Sequence, residues 1–297
     1  MPTSQDFLLI ANPISGKGRS KSTAEKAHQQ LTDAGRKGQI ELTTQQGDAN
    51  RLAREAVENG CRWIITCGGD GTIHEVVNAI AAKPDVVLGL LPCGRGNDFA
   101  GALHIPKHPD EAIQVLLNGE PFHVDVGKVG DRYFDTIATC GYDAEVSRRA
   151  SEGNVPFSGT ASYVYTAIAT LYSYKSPTVR LEGDFGIYEG EILLVATGIT
   201  PRYGGGFKII PDAVVNDGLF DVCIIKPVSR STVLRILVKL FWGGHISHPA
   251  VTIHRTKSLT IQTDSPILLY ADGEEIGYTP ATIELVERGL TVLVPAE

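Results

Sequence analysis

The stretch "WIITCGGDGT", residues 63–72, decides how the first part of this chain folds. A short apolar run typical of a buried strand ends in two glycines, and a segment with apolar residues at helical spacing follows. This order predicts a strand-turn-helix unit of a parallel sheet. Thr72 and Glu75 match the spacing of a capping box at the start of the helix. That interpretation leaves Asp70, in the middle of the turn, without a structural explanation.

The same alternation of strand and helix recurs on both sides of this stretch. The apolar runs "FLLIAN", "IELTT" and "VVLGLL" predict three further strands, and helix-forming segments that end in glycine lie among them. Because apolar strands that alternate with helices are buried on both faces, the pattern predicts an open parallel sheet covered by helices. We therefore expect an N-terminal α/β domain.

The pattern changes near Val124. The stretch "VDVGKVGDRYFDTIAT" predicts two strands joined by a tight turn at Gly130-Asp131. After Ser176 short strands follow one another, which predicts an antiparallel β-sandwich, an all-β second domain, with "VLRILVKLFWGG" as a helical insertion and "TASYVYTAIATLYSYK" as a helix before it. We expect the last strand, "LTVLVPAE", to return to the first domain. The predicted domains are residues 1–125 with 286–297, and residues 126–285.

Composition and charge exclude several classes of function. The chain has 297 residues, of which 42% are hydrophobic and 21% charged, as in soluble globular proteins. Its net charge of −7 argues against nucleic acid as a partner. No apolar run is as long as a bilayer span, and the N-terminal "MPTSQDFLLIANP" lacks the pattern of a signal peptide, which together predict a cytoplasmic protein. The cysteines show no zinc-type spacing and predict reduced, mostly buried thiols.

Three predicted strand ends carry residues suited to phosphate, and ligands of open parallel sheets bind at the carboxyl ends of the strands. The first is "NPISGKG", residues 12–18. It is not a Walker A loop, because Ala11 stands where that pattern has its first glycine. It still offers backbone N–H groups, the Ser15 hydroxyl and Lys17 to a phosphate. A plain turn explains this loop equally well.

The other two loops each add a carboxylate. Asp70 follows Gly68-Gly69, where the missing side chains let a ligand approach the backbone, and its carboxylate suits a Mg²⁺ ion that bridges phosphates. In "LPCGRGNDFA", Asn97 or Asp98 could simply cap a helix, yet the second carboxylate and Arg95 repeat the same chemistry. Three such turns at one edge of a sheet predict a nucleotide-binding site.

In their order along the chain, "NPISGKG", "GGDGTIHEVVNAI" and "PCGRGNDFAGAL" resemble the diacylglycerol kinase catalytic domain. Downstream, "VDVG" resembles the domain crossover of that family, "GGGFKIIPDAVVNDGLFDV" its second-domain signature and "ADGE" its catalytic motif. The resemblance covers almost the whole chain, in the form of soluble bacterial lipid kinases, and implies an NAD kinase- and phosphofructokinase-like first domain. It implies transfer of the γ-phosphoryl group of ATP to a lipid hydroxyl with Mg²⁺. The motif "GGDGT" alone is shared with NAD kinases.

The resemblance also implies roles for residues by position. Together with the loop chemistry above, it places ATP binding at Asn12, Pro13, Ile14, Ser15, Gly16, Lys17, Thr43, Gly68, Gly69, Asp70, Gly71, Thr72, Ile73, His74, Glu75, Arg95 and Asn97. The implied catalytic residues are Asp70, Asp98 and Asp125, which match acidic positions that organise the catalytic Mg²⁺, and Asp272 and Glu274, with Glu274 as general base. A separate structural Mg²⁺ site is implied at Asp217 and the carbonyls of Val214 and Leu219.

Two positions depart from the family pattern. Arg95 stands where the family usually has threonine, and an arginine there would either neutralise phosphate charge or block the pocket. His74 replaces a frequent asparagine. Two alternatives to a lipid kinase remain open on the sequence: an NAD kinase-like enzyme that phosphorylates a small molecule, and a catalytically silent protein that binds a nucleotide or lipid.

A lipid acceptor has to be reached from a bilayer, which draws attention to one basic segment. Residues 222–263 contain no Asp or Glu but several Lys and Arg residues. On composition alone, solvated strand and helix faces explain this segment. The resemblance favours a transient peripheral contact with the inner face of the membrane, made by this segment with Phe241 and Trp242. The sequence leaves the oligomeric state open, a homodimer included.

Overall fold

The computed structural model describes residues 6–151 and 160–296. The first five residues of the N-terminal segment used above to predict localisation lie outside the described residues. Internal contacts divide the chain into two units. The first unit runs to Val126 and resumes at Val286, and the second is Gly127–Leu285.

The first unit is built on a parallel sheet. In chain order its elements are β1 (Phe7–Ala11), α1 (Arg19–Asp33), β2 (Gly38–Leu42), α2 (Asp48–Glu58), β3 (Trp63–Gly68), α3 (Asp70–Ile80), β4 (Val87–Pro92), α4 (Asp98–Ala102), α5 (Pro109–Asn118) and β5 (Glu120–Val129), which continues into the second unit. The strands pair in parallel in the order β2-β1-β3-β4. All five residues of β1 are buried, because helices cover both faces of such a sheet. The predicted parallel α/β architecture is confirmed.

The second unit is an antiparallel sandwich. Its elements are β6 (Arg132–Phe134), β7 (Ile137–Gly141), α6 (Tyr142–Ser151), α7 (Thr160–Ser173), β8 (Thr178–Gly183), β9 (Gly186–Glu191), β10 (Leu194–Gly198), β11 (Phe220–Ile225), α8 (Arg230–Lys239), β12 (Val251–Thr256), β13 (Ser258–Thr263), β14 (Leu268–Ala271), β15 (Glu274–Tyr278) and β16 (Ala281–Val294). One sheet has the order β12-β11-β10-β7-β14-β15. In the other sheet the first part of β16 pairs with β13, β13 pairs with β8, and β8 pairs with β9. Buried side chains of both sheets form one core. This confirms the predicted sandwich.

Two strands show how the chain passes from one kind of sheet to the other. The end of β16 pairs in parallel with β4, at Thr291 with Val87 and Val292 with Leu88, as expected for the last strand. β5 and β6 form the predicted hairpin around Gly130, which has a φ of 57°. Glycine suits that turn because it adopts positive φ at little steric cost.

Three helices cover one face of the second unit's six-stranded sheet. Side chains of α6, α7 and α8 pack with those of β7, β10 and β11 in a second apolar cluster. α7 and α8 occupy the two predicted helical stretches. α6 was not predicted. It begins directly after Gly141, the last residue of β7, and its sequence is mostly polar. Among the described residues, no helix is long and apolar enough to cross a bilayer.

The centre of the sandwich gives a test of its packing. The rings of Phe134 and Phe220 stack with centroids 6.0 Å apart, and both side chains are fully buried. We expect Phe220→Ala to lower the free energy of unfolding by about 3–5 kcal/mol, because it removes apolar contacts and leaves a cavity. Denaturant unfolding measures the change. Ile187→Ala, at a side chain that is 56% exposed, is the control and should change stability by about 0.5 kcal/mol or less. Equal losses for both variants would contradict this account of the core.

Candidate active site

Two glycine turns meet at the ends of β3 and β4. A Cβ atom added to Gly69 would lie 3.0 Å from the Cα of Gly94, and one added to Gly94 would lie 2.5 Å from the Cα of Gly69. A side chain does not fit at 2.5 Å, so Gly94 needs glycine, and a side chain at Gly69 would require the neighbouring backbone to move by a few tenths of an ångström. The predicted second and third loops therefore form one structure rather than two adjacent turns.

Asp70 joins these two turns. Its two carboxylate oxygens accept hydrogen bonds from the backbone N–H groups of Asn97 and Asp98, each at 2.8 Å. These groups start α4, where backbone N–H donors lack partners within the helix. The side chain of Asn97 turns back to the N–H and carbonyl of Gly94, at 2.8 and 3.0 Å. The structural role of Asp70, which could not be explained from the sequence, is to bind the backbone at the start of α4.

The capping box predicted at Thr72 and Glu75 is wrong. α3 begins at Asp70, with Gly69 at the N-cap position, so Thr72 already lies inside the helix. Glu75 instead accepts hydrogen bonds from the N–H groups of Gly47 and Ala49, at 2.9 and 3.0 Å. Its carboxylate therefore caps the start of α2, a different helix. Asn97 does occupy the N-cap position of α4, but its side chain makes no capping hydrogen bond there.

The first loop lies against the third. Gly16, Lys17 and Gly18 have φ values of 62°, 59° and 88°. A Cβ atom on Gly16 would lie 2.9 Å from the carbonyl oxygen of Cys93, which directly follows β4. The exposed Lys17 is not a glycine, and a positive φ at such a residue costs energy, of order 1–3 kcal/mol, that often marks functional loops. This loop is a good place for backbone groups to meet an anion.

Thr43 lies beside the first loop. Its N–H donates to the carbonyl of Ala11, the last residue of β1, at 2.9 Å. The loop that follows is held by Asp48, whose carboxylate accepts from the N–H and hydroxyl of Thr44 and from the N–H of Gln45. The backbone hydrogen bond from Thr44 is the main reason why the pKa of Asp48 is lowered to about 2. Sequence reasoning missed Asp48 and the capping role of Glu75.

The remaining predicted residues of this site sit on the same turns. Arg95 is exposed beside Gly94, while Gly71 lies in the first turn of α3. His74 is buried, with its Nε2 atom 3.3 Å from the Nδ2 atom of Asn78. Asp98 is buried at the start of α4. The structure thus brings the ATP-binding predictions of the first unit together at one edge of its sheet.

Asp125 lies in β5, in the part of that strand that belongs to the first unit. It is buried, and its Oδ1 atom accepts from the N–H of Arg288 at 2.7 Å. Arg288 has a φ of 51° and lies in the bend of β16. This hydrogen bond gives Asp125 a structural role, because it fixes the backbone of Arg288. The metal-organising role predicted for Asp125 stays a prediction.

In the second unit, Asp272 holds the turn between β14 and β15. Its carboxylate accepts from the N–H groups of Asp135 and Thr136, at 2.8 and 3.0 Å, and from the Thr136 hydroxyl. Asp272 and Gly273 both have positive φ, at 51° and 88°. Glu274 begins β15 directly after this turn, is partly exposed, and is held in position by the anchored backbone. β14 and β15 therefore form a hairpin, as expected if this stretch is a polar hairpin turn. The hairpin also carries the carboxylate of Glu274 directly after the turn.

The predicted structural metal site contains an ion pair. Asp217 contacts the guanidinium group of Arg255, and its Oδ1 atom accepts from the N–H of Leu219 at 3.2 Å. Carbonyl and carboxylate oxygens suit Mg²⁺, but a metal here would have to share Asp217 with Arg255. Val214 is exposed nearby in the chain. The assignment of these three residues as ligands stays a prediction.

Comparison with known proteins identifies the class. Residues 6–129 match the diacylglycerol kinase catalytic domain, and residues 136–294 match the YegS C-terminal NAD kinase beta sandwich-like domain. Diacylglycerol kinase of Staphylococcus carnosus (strain TM300) is 33% identical over 290 residues, 97% of this chain and 95% of the relative. Diacylglycerol kinase of Staphylococcus aureus (strain MRSA252) is 34% identical over 288 residues, 97% and 91% of the two chains. The chain therefore belongs to the diacylglycerol kinase family of lipid kinases, which phosphorylate an alcohol acceptor.

Solved structures agree with the fold. A diacylglycerol kinase from Bacillus anthracis str. Sterne matches with a TM-score of 0.77 at 25% identity, covering 98% of this chain and 97% of that chain. Yeast NADH kinase, solved in complex with NADH, matches with a TM-score of 0.52 at 13% identity, covering 99% and 85% of the chains. The second likeness concerns the fold alone. Both the family and the fold class predicted from the sequence are confirmed.

The contact of Asp70 with α4 can be tested in the absence of any ligand. In Asp70→Asn, an amide N–H₂ would replace one of the two acceptors and face a backbone N–H. We expect a loss of about 1.5–3 kcal/mol in the free energy of unfolding, since hydrogen bonds to charged groups lie in this range. Asp110→Asn, which breaks an exposed pair with Lys26, is the matched control with a loss of about 1 kcal/mol or less. If both variants unfolded at the same denaturant concentration, Asp70 would not brace the turns.

Proposed function

We propose that this protein is an ATP-dependent lipid kinase that transfers the γ-phosphoryl group of ATP to a hydroxyl of diacylglycerol or a related lipid. The supporting relatives bear the name diacylglycerol kinase and align over nearly the whole chain. One structural observation carries the proposal: Asp70 fastens the glycine turns at the ends of β3 and β4 to each other, beside the first loop. Such backbone-rich turns at strand ends are suited to bind phosphates.

In this proposal, the chain's own groups bind and orient the nucleotide. The loop of Gly16 and Lys17 and the paired turns at Gly69 and Gly94 offer backbone N–H groups to the phosphates. Lys17 and Arg95 are exposed on these loops and would neutralise phosphate charge. Arg95 is exposed beside the Gly69–Gly94 contact. Its exposure favours neutralisation of phosphate charge over the alternative that Arg95 blocks the nucleotide pocket.

The residues present also fit Mg²⁺. The carboxylate of Asp70 accepts a hydrogen bond from the backbone N–H of Asp98. This hydrogen bond joins the two segments that carry these acidic residues. Carboxylate oxygens are ligands that Mg²⁺ prefers, and Asp70 and Asp98 would hold the ion. When bound, Mg²⁺ neutralises charge on the phosphates.

Glu274 is proposed as the general base. Its carboxylate would accept the proton of the lipid hydroxyl as that oxygen attacks the γ-phosphorus, and ADP would leave on the opposite side. Its partial exposure at the start of β15 makes it accessible to an acceptor. Asp272 positions it, because the three hydrogen bonds of Asp272 fix the preceding turn.

We expect Glu274→Gln to lower kcat by about 10²–10⁴-fold, the range that general-base catalysis contributes, with the unfolding midpoint unchanged. Transfer of radiolabel from ATP to diacylglycerol in mixed micelles measures the rate. Glu275→Gln, the next residue along the same strand, is the matched control and should retain activity.

The same assay distinguishes the alternatives. Label transferred to NAD instead of lipid would support the NAD kinase-like alternative, and no transfer to any acceptor despite ATP binding would support a silent protein. Full activity of Glu274→Gln with diacylglycerol would reject Glu274 as the base.

A membrane contact is proposed for one face of the second unit, defined here as the α8 face: Leu234, Val238, Phe241 and Trp242. These side chains lie at helical spacing along α8 and the turn after it, and are 41–60% exposed. Arg230 connects this helix to α7, since its guanidinium carbon lies 5.0 Å from the ring centroid of Tyr172. α7 presents a second exposed stripe of Tyr165, Ile168 and Tyr172.

Charge indicates which surface would cover the α8 face. The exposed Arg230 and Arg235 lie on α8, and residues 222–263 contain no acidic side chain. An anionic phospholipid bilayer fits both the aromatic side chains and the basic ones, since each basic residue near such a surface contributes about 1 kcal/mol. The contact would be peripheral and transient, on the side of the membrane where ATP is available.

Vesicle flotation tests this contact. We expect the double variant Phe241→Ser with Trp242→Ser to bind phosphatidylglycerol vesicles at least about tenfold more weakly, because each exposed aromatic loses about 1 kcal/mol or more of apolar burial. Ile187→Ser, at a 56% exposed side chain on β9, is the control and should bind as the wild type does.

Two results would contradict the membrane assignment. Equal binding to neutral phosphatidylcholine vesicles would exclude a role for the basic residues. Unchanged vesicle binding together with loss of a dimer in sedimentation would show instead that the α8 face joins two copies of this chain.

A further inference from the structure

Two of the five cysteines lie side by side beneath the glycine turns. Cys67 is the last residue but one of β3, and Cys93 directly follows β4, its neighbour in the sheet. The N–H of Cys93 donates to the carbonyl of Gly68 at 2.7 Å, which continues the pairing of the two strands. The position of each cysteine is therefore fixed by the backbone of the candidate nucleotide site.

The two sulfur atoms are in contact. Their Sγ atoms lie 3.6 Å apart, whereas a disulfide bond requires about 2.05 Å. Closing this gap needs a movement of the side chains at the start of a loop. The remaining three cysteines, Cys61, Cys140 and Cys223, are buried elsewhere, and burial raises the pKa of each of their thiols.

The pair is chemically asymmetric. Cys67 is fully buried in the apolar core of the first unit and has its Sγ atom 3.2 Å from the carbonyl oxygen of Ser20. Cys93 is partly exposed, and its contact with the Cys67 thiol, with smaller contributions from Thr23 and Arg19, lowers its pKa against the opposing effect of burial. The same contact raises the pKa of Cys67. A thiolate is the reactive form of cysteine, so Cys93 is the side chain that would react first.

We propose that Cys67 and Cys93 form an oxidation site, which a peroxide converts into an intramolecular disulfide that weakens nucleotide binding at the adjoining loops. The formation of the disulfide stands on the geometry of the two thiols alone. Its effect on nucleotide binding rests on the proposed function.

The reaction takes two balanced steps. The Cys93 thiolate attacks one oxygen of hydrogen peroxide, which forms Cys93 sulfenic acid and releases hydroxide. The Cys67 sulfur then attacks the Cys93 sulfur, and the hydroxyl group leaves as water with the proton of the Cys67 thiol. Overall, two thiols and one hydrogen peroxide give one disulfide and two water molecules. A dithiol reductant reverses the modification by thiol–disulfide exchange.

The expected effect on the nucleotide site follows from what Cys93 touches. Its carbonyl oxygen is the atom that approaches Gly16 in the first loop, and the next residue, Gly94, is the one that meets Gly69. A bond that draws the Cys93 side chain towards Cys67 therefore shifts a segment that packs closely against both the first loop and Gly69. Displacements of about 1 Å in such positions reduce activity by up to about 10²-fold.

The experiment uses the full, reduced chain treated with one equivalent of hydrogen peroxide and then quenched. We expect intact mass to fall by two hydrogen atoms, and peptide mapping to recover the Cys67 and Cys93 peptides linked to each other, with the other three thiols still open to alkylation after unfolding. A dithiol reductant should restore the original mass.

Variants separate the two steps. In Cys67→Ala, Cys93 should form a sulfenic acid that dimedone traps, without a disulfide. In Cys93→Ala, Cys67 should remain reduced. Each variant is compared with its own untreated sample, and its unfolding midpoint verifies that it is folded. In the wild type at neutral pH, iodoacetamide should alkylate Cys93 faster than the other four thiols, because the pKa of Cys93 is lowered.

The outcomes distinguish this proposal from the proposed function. We expect oxidation to raise KM for ATP at least about tenfold, with recovery after reduction. Recovery of Cys67 and Cys93 as free thiols after peroxide, or links to other chains only, would overturn the oxidation site. A complete disulfide with unchanged KM for ATP would overturn its coupling to the nucleotide loops. Absence of ATP-dependent lipid phosphorylation in the fully reduced wild type would count against the proposed function alone.

Discussion

The first unit depends on a carboxylate that bonds to the backbone of a different loop. Asp70 accepts the N–H groups of Asn97 and Asp98, which lie almost thirty residues further along the chain. Buried backbone donors at a helix start are costly without partners, and a carboxylate satisfies two at once. This contact adds to the pairing of β3 with β4, which continues to Cys93, and so holds the two glycine turns together at this edge of the sheet.

The second unit repeats the same device at a different place. Asp272 accepts two backbone N–H groups and a hydroxyl, and so fixes the turn that presents Glu274. In both units an acidic residue of a recognisable motif holds backbone, and the backbone that it holds positions a second acidic residue, Asp98 or Glu274. In the motif "ADGE", Asp272 therefore fixes the turn through its hydrogen bonds, and Glu274 follows at the start of β15.

Much of the site was predictable, because it lies where strands end. The parallel sheet followed from apolar runs alternating with amphipathic segments, and the ends of such strands converge at one edge by topology. The wrong capping box and the contacts that the sequence missed have a common physical cause. The carboxylate of Glu75 caps α2, and Asp125 accepts a hydrogen bond from the backbone of Arg288. Sequence spacing detects partners three or four residues apart, but it contains no information on partners brought together by folding.

Local patterns and motifs in a fixed order were enough to predict the class of fold, the order of the two units, the loops that carry glycine and acid, and the family. The contacts that each acidic side chain makes became visible only in the folded chain. Folding directs Asp70 to the start of α4, brings the sulfur atoms of Cys67 and Cys93 into contact, and pairs Asp217 with Arg255. Hydrogen bonds, ion pairs and thiol contacts act over a few ångströms. Residues that are far apart in the sequence come this close only when the strands have paired in the sheets.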